Sequence, residues 1–302
     1  MIMRTLAAST AAAAAAAADL EFSPVTGHGG TPLVVVETGN RTGPPIVFIH
    51  GYSQSYLAWE LQLRDPALLK EFHLIAFDLR GHGGSAKPSD PTVYRSEAWA
   101  ADVDAVIRAK AKAKPVLVPW SYGGPVTMSY VRHHGDGGIA GINFVAAGTA
   151  LGGPGPAPDP NDPAIKPRLA RFMAMAGSDT IANIDATRWF VSSLTAKPLP
   201  PDLSERAFVT NMMTPAYVRA ALLSFRPDNS DLKGKLTVPI LVSHGDIDAV
   251  VPYQTALDNK QHLPHATLST YAGVGHAPFL ESPERFAGEL AKFTRDAQRG
   301  SN

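Results

Sequence analysis

The stretch from Val116 to Gly124 constrains this chain more than any other, because a short apolar run there breaks directly into a serine and two glycines (V-L-V-P-W-S-Y-G-G). This pattern predicts a strand, a sharp turn and a helix, with the Ser121 hydroxyl held clear of the sheet on a strained backbone. Gly123 has no Cβ that could collide with neighbouring backbone in so tight a reversal. Ser121 is therefore the candidate nucleophile.

The turn departs in one position from the usual G-x-S-x-G pattern, because Pro119 stands where the first glycine is expected. Proline suits the extended backbone at the end of a strand, but it has no N–H to donate to a neighbouring strand. A serine followed by two glycines also occurs in many ordinary turns. The interpretation of Ser121 therefore depends on the rest of the chain.

Short apolar runs recur along the chain and alternate with amphipathic segments. Helical spacing is clearest at Trp99, Val103 and Val106, which lie at i, i+4 and i+7. Near-continuous apolar strands in alternation with helices indicate an α/β fold, with a mainly parallel sheet covered by helices on both faces. The runs that predict strands are residues 33–37, 46–49, 72–77, 116–118, 139–147, 239–243 and 266–271.

The composition changes abruptly after Leu151, where the chain reads G-G-P-G-P-A-P-D-P, and strand-like sequence resumes only near Val238. Apolar residues at helical spacing lie between these points, in three segments that include Leu169, Trp189 and Leu222. We interpret residues 151–236 as a helical cap inserted into a core made of residues 21–150 and 237–302. The alternative is that these helices belong to one continuous core.

A cap in this position would roof the ends of the strands. Its aromatic residues, among them Trp189 and Phe190, would then line an apolar pocket. The alternative is that they form the cap's own core.

Charge and composition narrow the class of partner. Lys plus Arg is 27 and Asp plus Glu is 27, so no net charge attracts nucleic acid or an anionic membrane surface. The chain has no cysteine, which excludes a disulfide, a thiolate nucleophile and a cysteine-ligated zinc site. We expect a small-molecule substrate, no metal, no cofactor and no membrane span. The sequence makes no prediction about oligomeric state.

Residues 1–20 resemble a signal peptide, with one basic residue at Arg4, an alanine-rich run from Leu6 to Ala18 and an Ala-x-Ala pattern near its end. This reading favours export. The alternative is a low-complexity leader that carries no address, which would leave the protein cytoplasmic.

Polar or glycine-rich loops follow several predicted strands, and in an open α/β sheet the loops at the carboxyl ends of strands form the ligand crevice. A serine hydroxyl is a poor nucleophile at neutral pH, so acyl transfer needs an imidazole to accept its proton and an acid to orient that imidazole. Ser121, Asp248 and His276 supply these groups in this chain order, each after a different predicted strand. We expect a structural role for His82. The remaining histidines, including 133, 134 and 262, are expected at the surface.

Five motifs in this order resemble the α/β-hydrolase fold family, and within it the cofactor-independent esterases and haloperoxidase-like members. The resemblance covers about residues 30–150 and 237–298. The motifs are H-G-Y at 50–52, D-L-R-G-H-G at 78–83, W-S-Y-G-G at 120–124, G-D-I-D at 245–248 with V-P at 251–252, and G-H at 275–276.

The resemblance implies a role for each matching residue. Ser121 corresponds to the nucleophile, His276 to the general base and then acid, and Asp248 to the residue that orients the imidazole. Asp246 is the rival acid in the same turn, but the spacing from Gly245 favours Asp248. The alternative for Asp246 is loop capping.

The same resemblance implies the chemistry. The backbone N–H groups of Tyr52 and Tyr122 match an oxyanion hole, and the side chains expected to contact substrate are Tyr52, Trp120, Trp189 and Phe190. Relatives that cleave haloalkanes or epoxides carry an aspartate at the elbow, whereas this chain has Ser121.

Acyl chemistry on an apolar carboxylic ester or lactone is therefore implied, as in a carboxylesterase-like serine hydrolase of class EC 3.1.1. The alternatives are a carbon–carbon hydrolase or lyase on the same three residues, and a ligand receptor that retains the pocket.

Overall fold

The structure is a computed structural model that describes residues 19–154, 159, 161–163 and 165–300. The signal-peptide-like segment lies outside these ranges except for its last two residues. The described chain is built on an eight-stranded sheet whose strands are β1 (Glu21–Thr26), β2 (Pro32–Gly39), β3 (Pro45–Ile49), β4 (His73–Phe77), β5 (Val116–Pro119), β6 (Gly141–Val145), β7 (Ile240–Gly245) and β8 (Thr267–Tyr271).

The sheet is mainly parallel. Its strand order is β1-β2-β4-β3-β5-β6-β7-β8, and only the pairs β1–β2 and β2–β4 are antiparallel. The central strands β3, β4, β5 and β6 are buried along their whole length, as their continuous apolar sequence predicts. Because β3, β5, β6, β7 and β8 run in the same direction, the loops at their carboxyl ends meet along one edge of the sheet.

Every predicted strand is present, and the bounds differ from the prediction by at most two residues. The first strand, β1, was not predicted. Its sequence contains Pro24 and only Val25 is buried, so it lacks an apolar run. Pro24 is tolerated because β1 pairs with β2 alone and lies at the edge of the sheet.

Helices cover both faces of the sheet. Among the described residues they are α1 (Glu60–Leu63), α2 (Pro66–Glu71), α3 (Ser96–Lys110), α4 (Gly123–His134), α5 (Lys166–Met175), α6 (Thr180–Ser192), α7 (Pro201–Met212), α8 (Ala216–Ser224), α9 (Gln254–His262), α10 (Pro278–Glu281) and α11 (Pro283–Gly300). Helix α3 packs on α4, and α11 packs on α2 and β6. In α11 the side chains of Phe286 and Leu290 are buried. No described helix has both the length and the apolar character needed to cross a bilayer.

Four helices, α5 to α8, lie between β6 and β7, and we call them the inserted helices. The spacing of apolar residues predicted three helical segments here and missed α7. That helix buries only Thr210 and Asn211, so it has no apolar stripe to detect.

The inserted helices are tied together by a buried cation. Arg219 of α8 is 1% exposed and donates to the Met175 carbonyl of α5 at 3.0 Å, to Asn183 Oδ1 of α6 at 2.8 Å, and to the Asn211 carbonyl of α7. A guanidinium with several donors in a fixed plane can hold three helices at once.

The histidines are only partly where the sequence predicted them. His133 and His134 are exposed and His82 is buried, as expected. The expectation that the others lie at the surface is wrong for His50, His73 and His244, which are 0%, 3% and 0% exposed. His73 and His244 lie on strands and contact a carboxylate, and His50 contacts backbone groups, so burial of the three rings is accompanied by polar contacts.

Candidate active site

Ser121 lies in the sharp turn between β5 and α4. Its φ of 54° is in the left-handed region, which a serine rarely adopts. The Ser121 N–H donates to the Val145 carbonyl at 3.0 Å and its carbonyl accepts from the Gly124 N–H at 2.9 Å. A Cβ on Gly123 would lie 2.6 Å from the Ile49 carbonyl oxygen, so this close approach requires glycine.

Pro119 is accommodated by a gap in the strand pairing. The pairing of β5 with β6 covers Val116 and Leu117, and resumes as a single bridge between Trp120 and Val145. Pro119 lies in the gap between them, where its missing N–H interrupts no ladder of continuous bonds. The departure from the usual glycine therefore leaves the turn intact.

Asp248 and His276 are brought together from the loops after β7 and β8. Asp248 Oδ2 accepts from His276 Nδ1 at 2.8 Å, and both side chains are fully buried. Asp248 Oδ1 accepts from the backbone N–H groups of Val250 and Val251 at 2.7 and 2.8 Å.

The environment of Asp248 stabilises its charged form. Burial by itself would raise the pKa of Asp248. The neighbouring His276, the hydrogen bonds from the His244 and His276 side chains, and the Val251 N–H together hold that pKa well below its usual range. Asp248 is therefore an anion that accepts the proton on His276 Nδ1.

Asp246 is directed elsewhere. Its side chain is exposed, and Oδ1 accepts from the Gly273 N–H at 2.7 Å. It caps the loop after β8, which was the alternative considered for it. Of the two acids in the turn, the structure places Asp248 beside His276.

His276 is held from its other side by Trp120, the residue before Ser121. The Trp120 indole N–H donates to the His276 carbonyl at 2.9 Å, and the two rings lie 5.3 Å apart. His276 Nε2 is buried and has no hydrogen-bond partner in the described chain, Ser121 Oγ included. Ser121 Oγ and His276 Nε2 therefore share no hydrogen bond in this structure. Hydrogen bonds of this kind are often long or open in enzymes before substrate binds.

Two backbone N–H groups flank Ser121. Tyr122 follows it directly. Gly51, whose added Cβ would lie 3.0 Å from Ser121 Cβ, precedes Tyr52. Neither the Tyr52 nor the Tyr122 N–H donates to any described residue. Two free donors beside a serine can stabilise an oxygen that becomes negative.

His50 orients the backbone N–H of Tyr52. Its Nε2 accepts from the Leu79 N–H at 3.0 Å, so its proton is on Nδ1, which donates to the Gly51 carbonyl at 2.8 Å. Burial lowers the pKa of His50 to about 4, despite the opposing hydrogen bond to Gly51, so the ring is neutral. In a trans peptide the C=O and N–H point in opposite directions. Fixing the Gly51 oxygen therefore directs the Tyr52 N–H away from His50.

A cavity of about 310 Å³ opens beside Ser121. The inserted helices contribute Phe172, Phe190 and Leu223 to its wall, and Tyr52 meets both phenylalanine rings edge-on at 6.0 Å. No Asp, Glu, Lys, Arg or His among the described residues lines the cavity. Its surface suits an apolar ligand with few polar atoms.

Two of the predicted substrate-contacting residues, Tyr52 and Phe190, line this cavity, whereas Trp120 and Trp189 are not part of its described wall. Trp189 packs edge-on against Phe172 at 5.9 Å, and Trp120 packs against the ring of His276. The two tryptophans support residues of the site from behind.

Sequence reasoning did not assign roles to His50 as an orienting residue or to His244 beside Asp248. His50 stands in the H-G-Y motif and His244 directly precedes the G-D-I-D motif, but only the packed structure shows which atoms they contact. As to metals, no group of three or more His, Asp and Glu side chains suited to hold an ion occurs in the part of the chain that is described.

Residues 44–283 match the model of a protein family described as alpha/beta hydrolase fold. A solved structure of a Burkholderia cenocepacia protein assigned as an aryl esterase is 33% identical, with a TM-score of 0.84, and the match covers 92% of this chain and 100% of that one. An esterase from Rhodococcus sp. ECU1013 is 32% identical, with a TM-score of 0.78, and covers 91% and 98%.

A relative found by sequence is the non-heme chloroperoxidase of Streptomyces lividans. It is 29% identical over 276 residues, which are 90% of this chain and 99% of the relative. Proteins similar to this chain therefore include, by name, both esterases and a non-heme chloroperoxidase.

Proposed function

The chain belongs to the alpha/beta hydrolase fold family, and from this premise we propose that it is a serine hydrolase that cleaves carboxylic esters through an acyl-enzyme. The observation that carries the proposal is the arrangement around Ser121. A buried Asp248–His276 pair contacts Trp120, the residue before Ser121, and two free backbone N–H groups flank Ser121. The esterases among the similar structures support the same class of reaction.

The first step is attack by Ser121 Oγ on the ester carbonyl carbon. His276 Nε2 accepts the hydroxyl proton, and the Asp248 carboxylate stabilises the positive charge on the ring through Nδ1–H. The carbonyl oxygen becomes an oxyanion and accepts hydrogen bonds from the Tyr52 and Tyr122 N–H groups. Removal of one donor of this kind typically lowers kcat by about 10²- to 10³-fold.

The second step breaks the bond to the alcohol. His276 Nε2–H gives its proton to the leaving oxygen, which leaves an ester between Ser121 Oγ and the acyl group. Water then attacks this ester, His276 accepts a proton from the water, and the acid product departs as Ser121 regains its hydrogen.

The residues that line the cavity favour a neutral acyl group of small to medium size. We propose that the inserted helices form a cap over the site, in which Phe172 and Phe190 contact the acyl chain. A carboxylate placed among these side chains would lose its hydration without gaining a partner.

A matched pair of esters tests the function and its preference together. We expect p-nitrophenyl pentanoate to be hydrolysed with a kcat/KM at least about tenfold above that of p-nitrophenyl hydrogen glutarate, because burying the terminal carboxylate costs several kcal/mol. Release of nitrophenolate is measured for both, against buffer alone. If the protein hydrolysed neither ester, the proposed function would be contradicted. A preference for the glutarate would contradict only the apolar character of the acyl site.

A second candidate is perhydrolysis, favoured by the likeness to a chloroperoxidase. In this reaction hydrogen peroxide replaces water in the attack on the acyl-Ser121 ester, and the product is a peracid. The same three side chains would serve both reactions, so perhydrolysis would accompany esterase activity.

A further inference from the structure

A second imidazole, that of His244 at the end of β7, lies against the Asp248 carboxylate. His244 Nε2 is 3.2 Å from Asp248 Oδ2 and 2.9 Å from the Val251 carbonyl oxygen. The ring is 0% exposed. Asp248 is therefore placed between two histidines, of which only His276 takes part in the proposed mechanism.

The position of the proton on His244 follows from its partners. Nε2 faces a carbonyl oxygen and a carboxylate oxygen, and both can only accept, so Nε2 carries a hydrogen and donates. Nδ1 is buried and has no partner among the described residues. The ring is thus held through Nε2 alone, at the turn that carries Asp248.

These contacts occupy the whole carboxylate. Oδ1 accepts from the N–H groups of Val250 and Val251, and Oδ2 accepts from His276 Nδ1 and also lies 3.2 Å from His244 Nε2, whose N–H it shares with the Val251 carbonyl. With four donors the carboxylate cannot rotate without losing a hydrogen bond in a buried site. His244 also links Oδ2 to the Val251 carbonyl, so it fixes the carboxylate relative to its own loop.

We propose that His244 is a positioning residue, which holds the Asp248 carboxylate in the orientation that His276 requires. This inference rests on the proposed function, in which Asp248 orients the general base. His244 itself does not touch the reacting atoms.

His244 should also affect the pH dependence of the Asp248–His276 pair, because its hydrogen bond is one of the contacts that lower the pKa of Asp248. Without this donor the carboxylate is more basic and attracts the proton on His276 more strongly, so the base is lost at a higher pH. Other titratable or charged groups near His244 and its loop are Tyr253 at the start of α9, whose ring meets His244 edge-on at 5.9 Å, Arg168 of α5, which donates to the Ala249 carbonyl at 3.5 Å, and the exposed Asp246.

Two amide variants separate positioning from simple packing. The amide nitrogen of glutamine can occupy the position of His244 Nε2, whereas that of asparagine reaches only the position of Nδ1. We expect His244→Asn to lower kcat about 10- to 100-fold with KM unchanged, because a displaced acid misplaces the base. The acid limb of its kcat/KM profile is expected to move to higher pH. His244→Gln is expected to retain most of the activity and the original profile.

His73→Asn is the matched control, since His73 is another buried histidine that contacts a carboxylate, at 3.1 Å from Glu37 Oε1, but lies at the amino end of β4. It should lower the thermal midpoint without changing the pH profile. If His244→Asn does not fold, His244→Leu takes its place, with the same expected kinetics. Equal effects of the Gln and Asn variants, or no effect of either, would overturn the proposal.

A readout that does not need turnover distinguishes this inference from the proposed function. The low-field proton resonance of His276 Nδ1–H reports its hydrogen bond to Asp248. We expect it to persist in His244→Gln and to shift or broaden in His244→Asn. An unchanged resonance in the Asn variant would contradict the role of His244 even in a protein that hydrolyses no ester, whereas loss of the proposed function would appear as an inactive wild type.

Discussion

Replacing Ser121 by alanine is expected to lower kcat for p-nitrophenyl pentanoate by about 10⁴-fold or more, because no other group in the site can form the acyl-enzyme. The methyl group of alanine fits the space of the serine side chain, so folding should be preserved. Initial rates of nitrophenolate release measure the effect, and the thermal midpoint of each protein checks the fold.

Ser129→Ala provides a matched control for this variant. Ser129 is a buried serine on α4, the helix that follows Ser121, where its hydroxyl donates to the Pro125 carbonyl at 2.9 Å. Loss of that bond should leave kcat within about twofold of the wild type, because the change removes a hydrogen bond within α4 and should affect stability rather than the chemical step. A Ser121→Ala protein that turns over ester at the wild-type rate would remove Ser121 from the mechanism.

The second large effect is expected for Asp248→Asn, which should lower kcat about 10⁴-fold. The backbone N–H groups of Val250 and Val251 require an acceptor at the Oδ1 position, so the asparagine carbonyl should lie there. Its NH₂ group would then face His276 Nδ1 and force the ring proton onto Nε2. In that tautomer the imidazole cannot accept the proton of Ser121.

Asp246→Asn is the corresponding control, because this acid lies two residues away and accepts only from the Gly273 N–H. An amide oxygen can accept the same bond, so a change in kcat of less than about threefold is expected. The kcat values of the two variants, measured at the pH optimum, compare the two acids directly. A larger loss of kcat in the Asp246 variant than in the Asp248 variant would contradict the assignment of the orienting role to Asp248.

The sequence predicted those parts of the molecule that are determined locally. The strand before Ser121, the glycines that permit a close approach to β3 and the order of the three candidate residues all follow from short segments. The sequence also predicted the seven strands with apolar runs, because burial on both faces leaves a continuous pattern. Strand β1 and helix α7 escaped, since neither presents an apolar face.

Contacts between distant segments were less predictable. Trp189 and Phe190 are adjacent on α6, and both were expected in the pocket, but successive helical residues point about 100° apart. Phe190 reaches the cavity, whereas Trp189 packs behind Phe172. His244 was overlooked for a similar reason, because its contact with Asp248 depends on how the turn after β7 folds back, which residue spacing does not reveal.

The central claim is that Ser121 is the activated nucleophile of an ester hydrolase. It is tested most directly by treating the wild-type protein with diethyl p-nitrophenyl phosphate, which phosphorylates activated serines, and by following esterase activity and intact mass together. The account predicts the gain of one diethylphosphoryl group per chain, located on Ser121 by peptide mapping, in step with the loss of activity. Attachment to another residue, or full activity after Ser121 is labelled, would contradict it.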